Sequence, residues 1–151
     1  MFSQPSSSVA PSSPPAAPGP NPITPTPRGL ILVVDDSAMI RAAVGKTLHG
    51  AGYETLFAVN GRDGLAVWER DKARITLVLS DVFMPEMDGL TMAGELRRRH
   101  RTLPVVLMSS KLDEDSRWVA EEAGFRLLPK PFRDALLLEL IARMIRLRAG
   151  G

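Results

Sequence analysis

The sequence predicts an α/β protein in which a parallel sheet is covered by helices on both faces. Three observations lead there. Short apolar runs rich in Val, Ile and Leu recur along the chain and end abruptly at polar residues. Between them lie stretches whose apolar residues return every three or four positions, the spacing of a helix with one buried stripe. The alternation of the two patterns happens five times, with no internal repeat.

In order, Leu30 to Val34 is a continuous apolar run, as expected of a strand buried on both faces, and it ends at Asp35-Asp36. Ser37 is a helix cap, and Ile40, Val44, Leu48 and Ala51 form one stripe before Gly50 and Gly52 stop the helix. Tyr53 to Val59 is a second strand, with Asn60-Gly61 as turn and cap for a helix through Leu65 and Trp68 to about Asp71. Ile75 to Ser80 is a third strand, ending at the lone carboxylate of Asp81, where Pro85 and Gly89 forbid its continuation. Leu90, Ala93 and Leu96 open a helix that finishes in the basic run Arg97 to Arg101, cations suited to the negative end of the helix dipole. Leu103 to Met108 is a fourth strand ending at Ser109-Ser110, Asp113 to Ala123 a helix closed by Gly124, and Phe125 to Leu128 a short fifth strand before Pro129-Lys130-Pro131. Arg133 to about Leu147 is the last helix, with Leu136, Leu137, Leu140, Ile141 and Met144 on one face.

Residues 1–27 hold nine prolines and six serines with no charged side chain, so they are expected to form a disordered tail ahead of one domain over residues 28–149. The chain has no cysteine, which excludes disulfides, thiolate metal sites and cysteine nucleophiles. Apolar runs of about five residues are far below the roughly eighteen that span a bilayer, and no secretory signal is visible, so a cytoplasmic protein without membrane contact is expected. A net charge of +2 does not by itself argue for nucleic acid.

Function is legible at the strand ends. In a parallel sheet the carboxyl ends of all strands emerge at one edge, so Asp35, Asp36, Asp81, Ser109 and Lys130 converge on one crevice. Each of them alone could be a cap or a surface ion pair; their coincidence at matching strand ends is the signal. Three neighbouring carboxylates repel unless a cation is present, and a hard divalent ion such as Mg2+ suits a site of few carboxylates, water and phosphate. Lys130 supplies a fixed positive charge for an arriving phosphoryl group, and Ser109 a hydroxyl donor. Asp81, alone on its strand, is placed as the nucleophile, which would give an aspartyl phosphate.

These segments also resemble a family. V-V-D-D-S at 33–37, L-S-D-V-F-M-P-E-M-D-G at 79–89, P-V-V-L-M-S-S at 104–110 and L-P-K-P-F at 128–132 are together similar to the response-regulator receiver domain of two-component signalling, from about Leu30 to Leu147. The resemblance implies a flavodoxin-like sheet of five strands in order 2-1-3-4-5 with five helices. It implies Asp81 as phosphoacceptor, Asp36 as direct magnesium ligand, Asp35 acting through water, and the Phe83 backbone carbonyl as a further ligand. Ser109 would sense the phosphate, Lys130 would be its counterion, and a cis bond would precede Pro131. The expected partners are a histidine kinase or histidine phosphotransfer protein, and a downstream protein bound through the face of helix 4, strand 5 and helix 5. Such a protein is expected to act alone, with only self-phosphorylation and slow self-dephosphorylation as chemistry, and so not to be an enzyme in the ordinary sense.

In two respects the chain departs from the family, one being a Gly124 to Lys130 segment one residue shorter than in chemotaxis-type members. An aromatic residue in the fifth strand often turns inward on activation, but here the corresponding positions are Leu127 or Leu128. Two other function classes compete with the signalling reading. Nucleic-acid binding through Arg97, Arg98, Arg99 and Arg101 is not expected, since no aromatic platform or recognition helix accompanies them. A phosphatase or nucleotide-using enzyme at the same edge is opposed by the lack of the glycine-rich phosphate loops.

Overall fold

The computed structural model describes residues 26–111 and 113–150. The proposed tail therefore lies, except for its last two residues, outside the described residues. Ten elements alternate: β1 (Leu30–Val34), α1 (Ala38–Gly50), β2 (Glu54–Ala58), α2 (Gly61–Asp71), β3 (Ile75–Asp81), α3 (Gly89–Arg99), β4 (Val105–Ser109), α4 (Glu114–Glu122), β5 (Arg126–Pro129) and α5 (Asp134–Gly150). All strand pairings are parallel and the order is β2-β1-β3-β4-β5, which is the doubly wound architecture expected. No helix among the described residues is long and apolar enough to cross a membrane.

Two cores, one on each face, follow from the alternation of side chains along a strand. Leu30, Leu32 and Val34 of β1 join Val67 and Trp68 of α2, Met92 and Leu96 of α3, and Ala120 of α4. Ile31 and Val33, pointing the other way, join Val44 and Leu48 of α1 and Leu137 and Ile141 of α5. Every residue of β1 is buried, which is why this strand reads as an unbroken apolar run. The β1–β3 register slips once, between Leu30 and Ile31, and the extra residue is Thr76. Its hydroxyl accepts from the Leu30 N–H at 3.1 Å and donates to the Leu30 carbonyl at 3.0 Å, so both backbone groups at the irregularity are satisfied.

Helix starts follow the local chemistry of the sequence. Ser37, Asn60, Asp88 and Asp113 each accept a backbone N–H three residues on. Strand ends differ from expectation by a residue or two. β4 starts at Val105 rather than Leu103, because Pro104 has no N–H to pair. Phe125 precedes β5 instead of opening it: its N–H closes the α4 turn on the Ala120 carbonyl at 2.9 Å, and its ring is buried. Asp81 is the last residue of β3, not the residue after it.

One glycine has a positional role that its helix-start position alone does not reveal. Gly89 begins α3 with its N–H on the Val82 carbonyl at 2.7 Å, and a methyl group there would overlap the Asp81 carbonyl oxygen and press on the Ser80 hydroxyl. The first obstacle is backbone, which cannot swing clear, and the second is a buried hydroxyl held on the same carbonyl. Gly89→Ala is therefore expected to destabilise the protein by about 2 kcal/mol or more, as overpacking against backbone does, measured by urea unfolding. An unchanged midpoint would show that α3 can step back from the strand.

Candidate functional site

The strand ends deliver their side chains to one edge. Asp35 follows β1, and its backbone N–H still pairs with the Ala58 carbonyl at 3.1 Å, so it is held as firmly as the strand. Only 1% of it is exposed. Its Oδ1 accepts from the Ser37 N–H at 2.9 Å, and its backbone carbonyl accepts from the Arg41 guanidinium at 2.6 Å. Asp36 is exposed beside it. The Lys130 Nζ lies 3.3 Å from Asp81 Oδ1 and 3.5 Å from Asp35 Oδ2, bridging β1 and β3 from the end of β5. Lys130 is itself fixed by its N–H on the Ser109 carbonyl at 2.9 Å, and the bond that follows it, Lys130–Pro131, is cis as expected.

Each of Asp35, Asp36 and Asp81 offers an oxygen such that all three lie within 4.8 Å of one another. Burial raises the Asp81 carboxyl above its ordinary range; the Lys130 ammonium opposes this, and the Asp35 charge adds to it. One ammonium is thus too little for three carboxylates. The residues fit a divalent cation on a further ground: Asp35 Oδ2 is buried with no hydrogen-bond donor, and a hard ion or its bound water would satisfy it.

Asp35, Asp36, Asp81 and Lys130 are brought together as the strand pattern implied. Ser109 reaches the same edge at the end of β4, but its hydroxyl is turned to the following loop, donating to the Lys111 carbonyl at 2.5 Å and accepting from the Lys111 N–H at 3.1 Å. Phe83 lies in the loop after β3 and is 57% exposed. Leu127 is half-buried against the core and Leu128 fully buried, so neither position offers an exposed aromatic ring. Sequence reasoning missed Ser80, a buried hydroxyl that donates to the Asp81 carbonyl at 2.8 Å, and the tight seat of Gly89 against the same carbonyl. The L-S-D run held the first signal, since a lone Ser inside a buried strand needs a partner.

Comparison with known proteins agrees with this geometry. Residues 31–142 match the family described as response regulator receiver domain. The chain belongs to that family. The receiver is 37% identical over 119 residues to the DNA-binding transcriptional regulator NtrC of Salmonella typhimurium, covering 78% of this chain and 25% of that protein. It is 31% identical over 121 residues to the sensor histidine kinase CheAY of Helicobacter pylori, covering 78% of this chain and 15% of the relative. The chain thus spans a quarter or less of these two longer relatives. Among solved structures, the Vibrio cholerae chemotaxis protein CheY4 superposes with a TM-score of 0.70 at 33% identity, covering 77% of this chain and 98% of that one. A response regulator receiver domain protein from Clostridium thermocellum gives 0.77 at 25% identity, covering 80% and 97%. Aspartyl phosphorylation and magnesium binding are general features of receivers in two-component signalling.

The raised Asp81 pKa has a consequence for stability. A carboxyl that holds its proton more tightly when folded than its ordinary value of 3.8 stabilises the fold below that pH, and the contribution is lost as pH rises through the folded value. At neutral pH the metal-free receiver therefore carries Asp81 at a cost. Asp81→Asn is expected to melt a few degrees higher than the parent in EDTA at pH 7, with the gap shrinking as pH falls toward 3.8. Calorimetry across that range checks it, and a lower melting point for the variant at pH 7 would contradict the sign.

Proposed function

We propose that the protein accepts a phosphoryl group on Asp81 from a histidine kinase or histidine phosphotransfer protein and passes the signal on by binding another protein. The observation that carries this reading is the Lys130 ammonium within 3.3 Å of Asp81 Oδ1, in the same cluster as Asp35 and Asp36. Asp81 attacks phosphorus as the P–N bond of the donor phosphohistidine breaks and the imidazole departs with the electron pair, later taking a proton. Lys130 keeps the acceptor ionised and pairs with the phosphoryl oxygens as charge accumulates there. Asp36 and Asp81, with Asp35 through water and the Phe83 carbonyl, would hold Mg2+, which supplies charge neutralisation for the transferring group. The Ser109 hydroxyl leaves Lys111 and donates to the new phosphate.

Two surface features support the partner assignments. A cavity of about 470 Å3, lined by Ile40, Val44, Pro131, Phe132 and Leu137, opens beside Lys130 and gives a donor protein an apolar seat next to the acceptor. On α4, Trp118 is 64% exposed, an aromatic anchor for a downstream protein on the face formed with β5 and α5. The protein signals in this way in the cytoplasm, and its own chemistry is phosphorylation and slow dephosphorylation.

Acetyl phosphate with magnesium is expected to add one phosphoryl mass, at Asp81, as read by mass spectrometry of the intact chain and its peptides. Label retained in Asp81→Asn, or acquired equally in EDTA, would overturn the assignment.

The lifetime of that phosphate follows from the residues two places after Asp81 and Ser109. Phe83 has no atom with which to orient water, and Lys111 is a cation that pairs with phosphate rather than acting as a base. Both side chains are exposed enough to be exchanged without disturbing the core. Phe83→Asn with Lys111→Glu is expected to speed loss of phosphate about tenfold, equivalent to about 1.4 kcal/mol of barrier, followed by decay of the labelled protein.

A further inference from the structure

We infer that the pole of the sheet opposite the carboxylates carries a second binding site, for a nucleotide with at least two phosphoryl groups. A cleft of about 330 Å3 opens between the end of α3, the start of β4, the turn before β5 and the last turns of α5, and four arginines line it: Arg97, Arg101, Arg126 and Arg148. None of the four makes an ion pair with any carboxylate among the described residues, whereas their neighbours Arg98 and Arg99 are neutralised by Glu95 and Glu69. Glu121 borders the adjoining cleft with Arg126 but forms no ion pair with it.

Arg97 shows the deficit most clearly. Its guanidinium donates to the Ala123 carbonyl at 2.8 Å and the Leu103 carbonyl at 3.2 Å, both neutral, and stacks over the Phe125 ring at 4.8 Å. Its Nε–H is buried with no acceptor, and burial lowers its pKa because no anion offsets the desolvation. Arg148 likewise spends its donors on the Thr76 carbonyl at 3.0 Å and on the His100 ring at 3.2 Å. Helix ends do not close the gap. Two helix C-termini supply about one negative charge between them, against four guanidinia.

The cleft is not wholly polar. Pro104, Met144 and Leu147 form an apolar side, and Leu147 is 63% exposed. Guanidinia beside apolar surface suit a ligand that joins phosphates to a flat, poorly hydrated ring system, for the phosphates meet the forked donors and the ring meets the side-chain carbons. A bare inorganic anion would leave that apolar side unused.

Titration calorimetry of the full chain with ADP, ATP and inorganic pyrophosphate tests this, in EDTA so that no metal bridges phosphate to the acidic edge. ADP and ATP are expected to bind one per chain at about 0.1 mM or tighter, and pyrophosphate at least about tenfold more weakly. Arg101→Gln with Arg126→Gln, two exposed side chains with no side-chain hydrogen bonds among the described residues, should weaken nucleotide binding about tenfold or more while leaving the melting temperature unchanged. Asp81→Asn should bind as the parent does. Absence of saturable heat up to about 5 mM ADP, an unaffected double variant, or loss of binding in Asp81→Asn would each overturn the site. Pyrophosphate binding as tightly as ADP would overturn the nucleotide assignment.

Discussion

The structure depends on keeping three carboxylates together at one edge of a sheet. At an effective dielectric near 20, two unit charges a few ångströms apart repel by about 3–4 kcal/mol, and there are three such pairs here. One ammonium, held at 3.3 and 3.5 Å from two of them, offsets only part of this. What makes the arrangement tenable is covalent and topological. Asp35 and Asp36 leave the end of β1 and Asp81 closes β3, strands whose two faces are locked by separate cores, so the chain cannot relax the repulsion by moving one strand end without opening a core. The surplus negative charge is then stored as affinity for whatever cation or phosphoryl-bearing partner arrives.

The fold was legible because its signals are local and repeated. β1 is buried from end to end, so its unbroken apolar run could be read as a central strand without knowing its neighbours, and the caps Ser37 and Asn60 stand where the sequence placed them. Site membership of Asp35, Asp36, Asp81 and Lys130 followed from parallel topology alone. Boundaries were less legible where a residue serves two neighbours at once: Phe125 has a strand former's side chain, but its backbone is recruited to close α4.

The site details that escaped are those defined by backbone contact across distant segments. Nothing in the residues around Gly89 states that its missing side chain is required by the Asp81 carbonyl eight positions earlier, since any helix may start with Gly. The present orientation of Ser109 is similarly invisible in sequence. A hydroxyl at a strand end can face the crevice or its own loop, and the choice, here Lys111, depends on hydrogen bonds of similar worth.

Gly89 and Ser109 together make the crevice mechanically lopsided. On the α3 side the wall is a fixed jaw, backbone seated on backbone with no slack between Gly89 and the end of β3. On the β4 side the facing wall is latched by a single hydroxyl to the loop that follows it. A load applied between the two cannot be shared equally. It meets packed backbone on one side and only the hydrogen bonds of one hydroxyl on the other.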